Sequence, residues 1–275
     1  MIMSYREQSA ILTDVQGGLD TRRIPIDRAG IRRLRHPIKV VAPDGAEQAT
    51  WGLFDLVVDL PHFQRGTHMS RFVKLLGQQW IFSGPAAMKH LARQAAELLE
   101  AHHARIETSF WYFLRKEAPV SGVESLLDYE ITIIAQSGIL QAVDQVATMR
   151  VTVPVTSLCP CSKEISQYGA HNQRSHVTIE ADCRDEVWVD ELIAIAETCA
   201  SCEVYGLLKR SDEKYVTERA YENPKFVEDM VRDVALALEE HPGVLRYQVE
   251  SENFESIHNH SAYAMVKRDK TLPRH

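Results

Sequence analysis

Two thiols, an amine and an imidazole lie close together near the middle of the chain. Cys159 and Cys161 flank a proline, Lys163 follows them, and His171 comes one short segment later. In an extended chain the two sulfurs project to the same side, and the lysine favours their thiolate forms. Each thiol is therefore a candidate metal ligand or nucleophile. The C-P-C spacing is not that of a zinc knuckle, so two ordinary loop cysteines are an equally good interpretation of these residues alone.

Two further imidazoles and a carboxylate favour a metal-dependent site. His258 and His260 are two apart at the predicted turn between the last two strands, where loop side chains reach a ligand. On its own, such a surface pair is more often a solvated turn. Glu213 is the best carboxylate candidate, because it falls in a predicted linker rather than on a solvated helix face. Sulfur, imidazole and carboxylate ligands with one open position would form a catalytic rather than a structural metal site.

Other charged residues are candidates for binding a substrate. Glu228 lies beside the apolar stripe of the last predicted helix, where a partly buried carboxylate could accept two N–H donors from the edge of a guanine base. The candidate phosphate ligands are the basic residues Arg65, His68, Arg71, Lys163, Lys209 and Arg210. Taken singly, each of these residues is more often a solubilising surface charge.

The thiols follow a segment that alternates apolar and polar residues over 148–156, which predicts a half-buried strand. Pro154 within it favours an edge position, because proline has no N–H for a sheet ladder. Pro160 should stop the pairing, which would leave both sulfurs beyond the end of the strand.

The remaining segments predict one pattern of strands and helices that occurs twice. The first half reads as strands at 39–42, 49–60, 105–114 and 127–134 around helices at 68–76 and 85–102. The second half reads as strands at 148–156, 175–183, 245–254 and 261–267 around helices at 190–200 and 224–240, with a linker over 209–217 and Asn223 capping the last helix. We therefore predict an α+β chain with an N-terminal arm over 1–30 and two ββααββ modules, over 31–140 and 141–275. Open antiparallel sheets leave edges, which favours closure by oligomerisation.

Composition narrows the function classes. The formal charge of −7 and the pI near 6.0 argue against a nucleic-acid partner. The start of the chain shows no signal peptide, and no apolar run reaches the length of a membrane span, so we expect a cytoplasmic protein without a membrane partner. Five cysteines are an odd number, which indicates free thiols or metal ligands rather than a disulfide framework.

Several long motifs in one order resemble the prokaryotic type IB GTP cyclohydrolase I family. They are the segments 65–72, 158–163, 168–174, 223–229 and 255–260. The resemblance extends from about residue 32 to residue 267, and such a set of motifs is far more specific than any one of them.

The resemblance implies a tunnelling fold, in which ββααββ modules join their antiparallel sheets into a barrel. It implies two modules per chain and a homotetramer with sites at subunit interfaces. The implied reaction converts GTP and water into 7,8-dihydroneopterin triphosphate and formate, the first step of folate biosynthesis. A divalent metal ion is the implied cofactor, and manganese, zinc and iron are all compatible with it.

The resemblance also assigns roles by position. It places Cys159, His171 and Glu213 around the metal, Cys161 against the reacting ring, His258 and His260 in proton transfer or coordination, and Glu228 on the guanine edge. Lys163, Arg65, His68, Lys209 and Arg210 are the candidates for binding the triphosphate. Which side chains are ligands and which are acids or bases is left open.

Two other functions are compatible with parts of this pattern. A nitrile reductase of queuosine biosynthesis has the same fold and would also use a cysteine and a base-binding glutamate, but it would need NADPH and no metal. A non-catalytic purine or pterin binding module would bind its ligand without turnover, and the clustered thiols and imidazoles make it the less favoured alternative.

Overall fold

A computed structural model describes residues 14–138 and 146–273. The strands are β1 (Ile26–Val41), β2 (Glu47–Leu60), β3 (Trp80–Phe82), β4 (His103–Glu117), β5 (Glu124–Gly138), β6 (Ala147–Leu158), β7 (Asn172–Cys183), β8 (Cys202–Glu203), β9 (Val244–Asn253) and β10 (Ala262–Asp269). The helices are α1 (Met69–Leu76), α2 (Pro85–Leu98), α3 (Pro160–Ile165), α4 (Val189–Cys199), α5 (Arg210–Glu222) and α6 (Val227–Glu240).

All the strands of the described chain belong to one sheet. Its order is β10-β9-β7-β6-β5-β4-β2-β1-β3, with β8 paired to β6, and the long strands are antiparallel to their neighbours. Each half of the chain contributes four long strands with helices between the second and third. The predicted ββααββ order is therefore confirmed in both halves, which join where β5 pairs with β6.

One face of the sheet is buried by the helices. Helix α2 packs on β4 and β5, α4 on β6, and α6 on β9 and β10. The packing of the helices explains the apolar–polar alternation predicted for β6. Its apolar residues point into the core and are fully buried: Met149, Val151, Val153 and Val155. This rigid layer presents the loops at the ends of β6, β7 and β9.

The edge position predicted from Pro154 is wrong, because β6 lies between β5 and β7. The prediction assumed that a proline without an N–H could only be tolerated at an edge. Pairing of β6 with β5 ends at Thr152, and pairing with β8 begins at Val155. Pro154 therefore lies where one neighbouring strand has ended and the next has not begun, and the missing donor breaks no bond of this ladder.

The linker predicted over 209–217 is also wrong, since helix α5 begins at Arg210. Asn223 ends this helix instead of capping the next one, and α6 begins at Val227 after Phe226. The carboxylate of Asp229 accepts a hydrogen bond from the Phe226 amide at 3.1 Å, which marks the start of α6. Residues 210–217 of the predicted linker therefore belong to helix α5.

The first strand begins earlier than predicted, because β1 starts at Ile26, within the segment assigned to an N-terminal arm. The rest of that arm up to residue 13 and the junction of the two predicted modules over 139–145 lie outside the described residues. The module boundaries therefore stay a prediction. No helix among the described residues is long and apolar enough to cross a membrane.

Candidate active site

The backbone places Cys159 beside His171. Strand β6 ends at Leu158, which pairs with Asn172 of β7, and the next amide, that of Cys159, donates to the carbonyl oxygen of His171 at 3.1 Å. Helix α3 then begins at once, with Pro160 in its first turn, where a missing N–H costs nothing. The prediction that strand pairing stops before the thiols is confirmed.

The two thiols have different surroundings. Cys159 is half-buried at the start of α3, and its sulfur accepts a hydrogen bond from the amide of Ser162 at 3.4 Å. The Ser162 hydroxyl donates to the Cys159 carbonyl at 3.1 Å and accepts from the His171 amide at 3.2 Å. Cys161 is exposed within the helix. Because this segment is helical, the expectation that both sulfurs project to one side of an extended chain is wrong.

The His171 ring is held through one of its nitrogens. Its Nδ1 lies 3.0 Å from the amide oxygen of Gln173, 3.3 Å from the hydroxyl of Ser256 and 4.0 Å from a carboxylate oxygen of Glu255. The side chains of His171 and Glu255 are 14% and 13% exposed. The imidazole is thus largely enclosed, and its three polar neighbours all lie at Nδ1.

The loop between β9 and β10 brings two more imidazoles to the same end of the sheet. Ser256 of this loop contacts His171, and the amide of Phe254 donates to the Arg174 carbonyl at 3.0 Å. His258 and His260 are exposed in the same loop, with ring centroids 5.1 Å apart and planes 14° from parallel. The structure therefore gathers Cys159, Cys161, His171 and the loop of both later histidines at one end of the sheet.

Glu213 is positioned differently from the prediction. It is exposed in the first turn of α5, whereas the other end of that helix contacts the cysteine segment through Tyr221, whose carbonyl accepts from the Lys163 amine. Glu213 and Tyr221 are about 12 Å apart along the helix axis at 1.5 Å per residue. Within residues 14–138 and 146–273, no group of three or more His, Cys, Asp and Glu side chains is arranged to hold a metal ion. The ligand set of Cys159, His171 and Glu213 therefore stays a prediction.

A buried carboxylate fixes the start of α5. Asp212 is fully buried and accepts hydrogen bonds from the amides of Val120, Ser121 and Lys209 at 2.9, 2.8 and 2.8 Å, and from the Ser121 hydroxyl at 2.6 Å. Burial alone would raise the pKa of Asp212, but these hydrogen bonds outweigh burial and hold the pKa well below its usual range. The turn between β4 and β5 thereby positions Lys209, Arg210 and Glu213.

Comparison with known proteins identifies the family. The family model described as type I GTP cyclohydrolase folE2 matches residues 12–264. The chain belongs to the type I GTP cyclohydrolase FolE2 family. The predicted relationship to GTP cyclohydrolase I is thus confirmed, but the family is FolE2 rather than the predicted type IB.

FolE2 relatives match the chain over nearly its full length. GTP cyclohydrolase FolE2 of Paraburkholderia phymatum is 55% identical over 272 residues, which is 98% of this chain and 100% of the relative. GTP cyclohydrolase FolE2 of Nitrosomonas eutropha is 56% identical over 260 residues, covering 94% of this chain and 96% of the relative.

Solved structures confirm the fold alone. The urate oxidase of Bacillus subtilis 168 superposes with a TM-score of 0.53 at 6% identity, covering 89% of this chain and 99% of the other. A uricase from Bacillus fastidious gives a TM-score of 0.52 at 7% identity, covering 89% and 93%. These neighbours are tunnelling-fold proteins, so the predicted tunnelling fold of this FolE2 chain is confirmed.

The predicted substrate-binding residues of this FolE2 chain are spread over the surface. Glu228 is exposed in the first turn of α6, not partly buried beside its apolar stripe. Arg65 and His68 lie between β2 and α1, and the His68 ring is 3.2 Å from the Asp14 carboxylate. Three strands separate β2 from β7 in the sheet. Leu56, near the end of β2, is aligned through β4, β5 and β6 with Cys183 at the far end of β7, so Arg65 and His68 lie at the opposite end of the sheet from His171. Lys209 and Arg210 are exposed at the start of α5.

Sequence reasoning gave no role to Gln173 or Glu255, which the structure places against His171. A signal for Gln173 was present. On β7 the positions of Val177 and Ile179 face the core, and the same alternation puts Ser175 and Gln173 on that face. Polar residues in the buried phase of a strand are uncommon without a structural or functional reason.

Proposed function

We propose that this chain is a GTP cyclohydrolase that converts GTP and water into 7,8-dihydroneopterin triphosphate and formate, the first step of folate biosynthesis. The observation that carries the proposal is the gathering of Cys159, His171 and the His258–His260 loop at one sheet end of a FolE2-family chain. The nitrile reductase and the non-catalytic binding module lose support, because FolE2 relatives match this chain over 98% of its length.

The chemistry requires water to attack C8 of guanine, which becomes electrophilic when N7 is protonated. A divalent cation such as manganese, zinc or iron, when bound, would ionise that water. Cys159 and His171 fit such a group, because they are neighbouring sulfur and imidazole donors of the kind that bind transition metals. We assign Glu213 as the third ligand, as the resemblance implies.

The other residues would handle protons and the substrate. His258 and His260 are exposed and stacked, so either imidazole can give a proton to N7 and take one back as formate leaves. Cys161, exposed beside Cys159, would contact the reacting ring. The exposed carboxylate of Glu228 can accept two N–H donors from the guanine edge.

The triphosphate would be bound by basic residues from more than one part of the molecule. Lys209 and Arg210 are exposed at the start of α5, and Lys163 already donates to the Tyr221 carbonyl and lies 4.4 Å from the Tyr221 ring centroid. We keep Arg65 and His68 as phosphate ligands from the first half of the chain. Because they lie at the opposite end of the sheet from His171, we infer that they reach a site of a neighbouring subunit.

This inference agrees with the homotetramer and interface sites expected from the resemblance. The sheet ends in β10, an eight-residue strand with a free edge in the described chain, where Tyr263 and Met265 are 58% and 50% exposed. An edge strand with exposed apolar side chains favours pairing with another copy. The five cysteines are all free thiols, which supports the cytoplasm as the enzyme's compartment.

Incubating the purified protein with GTP and Mn²⁺, Zn²⁺ or Fe²⁺ tests the proposal. We expect equal amounts of formate and of a pterin that becomes fluorescent after oxidation. Cys159→Ser should abolish formate release, whereas Cys199→Ser, a matched change of a half-buried thiol on α4, should leave it unchanged. Absence of formate with every ion would refute the proposal. NADPH consumption with a nitrile substrate would identify the reductase, and GTP binding without turnover would identify a binding module.

A further inference from the structure

At the end of the sheet that carries His171, the buried face changes from apolar to polar. Ser157 of β6, Gln173 and Ser175 of β7, and Asn253 of β9 occupy neighbouring inward positions. Their exposed fractions are 0%, 8%, 0% and 3%. Burying four polar side chains beside a core is unfavourable unless each finds a partner. Each of these four buried side chains is therefore expected to have a hydrogen-bond partner.

The four side chains form a single chain of hydrogen bonds. The amide nitrogen of Gln173 donates to the Ser157 hydroxyl at 2.8 Å, the Ser157 and Ser175 hydroxyls are 2.8 Å apart, and Ser175 donates to the Asn253 amide oxygen at 2.7 Å. Ser175 has one hydroxyl proton and gives it to Asn253. Ser157 must therefore donate to Ser175, and every bond points from Gln173 towards Asn253.

The outer end of this chain is His171. Since the amide nitrogen of Gln173 faces Ser157, its amide oxygen faces His171 Nδ1, at 3.0 Å, and can only accept. The Glu255 carboxylate, 4.0 Å from the same nitrogen and 13% exposed, adds a second acceptor of negative charge. Both groups favour a proton on Nδ1. A neutral imidazole protonated at Nδ1 keeps a lone pair on Nε2.

We propose that Gln173 is a positioning residue, which the Ser157–Ser175–Asn253 chain orients and which holds the His171 proton on Nδ1, so that Nε2 is available to a divalent cation. The inference rests on the proposed function for the presence of that cation. Metal-binding histidines commonly donate their second ring N–H to such an acceptor, which fixes the tautomer and strengthens metal binding.

The first test is independent of turnover. The ¹⁵N NMR signals of His171 in metal-free protein are identified by their loss in His171→Asn and recorded at a pH where the imidazole is neutral. The wild-type ring should be protonated at Nδ1 and not at Nε2, whereas Gln173→Leu should show a mixture of both tautomers. A wild-type ring protonated at Nε2, or an unchanged spectrum in Gln173→Leu, would overturn the inference.

The second test measures Mn²⁺ affinity by calorimetry. Gln173→Leu should bind Mn²⁺ about 10- to 100-fold more weakly than the wild type. The matched control is Thr178→Val, which removes a hydroxyl pair of 3.1 Å between Thr152 and Thr178 on the same two strands. Its affinity should be unchanged. Equal affinities of Gln173→Leu and the control would refute the inference.

Two arrangements keep the result decisive. If Gln173→Leu does not fold, Ser175→Ala replaces it in both measurements. Ser175 lies two hydrogen bonds beyond Gln173 in the chain, and unchanged values in Ser175→Ala would count against the inference. If the wild type releases formate normally but the variants bind Mn²⁺ as tightly as the wild type, only the inference about Gln173 is refuted. If the variants change the His171 tautomer and the Mn²⁺ affinity but the wild type releases no formate, only the proposed function is refuted.

Discussion

Replacing Lys116 by methionine should destabilise the fold by about 3–5 kcal/mol. The Lys116 amine of β4 lies 2.6 Å from Glu197 of α4 and 2.5 Å from Glu203 of β8, so the cluster joins the two halves of the chain. The side chains of Lys116 and Glu197 are 11% and 10% exposed. Burial alone would lower the pKa of Lys116, but hydrogen bonds and charge pairing with both carboxylates outweigh burial and raise it.

The magnitude follows from what the substitution leaves behind. In Lys116→Met the Glu197 carboxylate stays buried and charged, with the Tyr129 hydroxyl at 2.7 Å as its remaining partner in the cluster. Removing one partner of a buried ion pair typically costs about 3–5 kcal/mol, because the other charge has lost its water without compensation. The double variant Lys116→Met, Glu197→Gln should recover part of the loss, since a neutral amide replaces the unpaired charge.

Urea denaturation followed by circular dichroism, at one protein concentration for all variants, measures these differences. Lys214→Met is the matched control, because it removes an exposed pair with Glu218 whose side chains are 71% and 57% exposed. Its effect should stay below about 1 kcal/mol. If Lys116→Met costs no more than Lys214→Met, the argument from burial is wrong. The pKa of Lys116 in the folded protein is raised above its unfolded value of 10.5. The contribution of Lys116 to the free energy of unfolding should therefore be complete below pH 10.5 and be lost as the pH rises through the folded pKa.

Two further predictions concern acid stability and thiol reactivity. The lowered pKa of Asp212 means that its stabilisation is complete above its unfolded pKa of 3.8 and is lost as the pH falls towards the folded value. Asp212→Asn should therefore lower the urea midpoint at pH 7, and its difference from the wild type should shrink below about pH 3.8; a difference independent of pH would contradict this. Iodoacetamide should label exposed Cys161 in the native protein but label Cys183, which is buried with a raised pKa, only after unfolding. Mass spectrometry of the labelled peptides measures both, and equal native labelling would contradict the prediction.

The spacing of apolar residues predicted the strands and helices correctly wherever one face of the element is buried. The alternation in β6 and β7 and the helical spacing in α2 and α4 predicted those elements to within a few residues. The period of a strand or helix is a local property, because it follows from backbone geometry and from which side chains must leave water. The five motifs taken together likewise predicted a GTP cyclohydrolase I, although the family is FolE2 rather than type IB.

Contacts between distant segments decided the rest. Helix α5 replaced a predicted linker because Asp212 at its start is bound by Ser121 from the other half of the chain. Pro154 is tolerated inside the sheet only because β5 and β8 pair with different parts of β6. Neither partner is visible from the local residues.

The sequence alone thus predicted which side chains are reactive and which face of each strand is buried, because both depend only on residues a few positions away. The environment of His171 was not predicted, because Gln173, Ser157, Ser175 and Asn253 come from three strands. A hydrogen bond has a direction only when both of its partners are in place. The protonated nitrogen of His171 is accordingly a property of the assembled sheet.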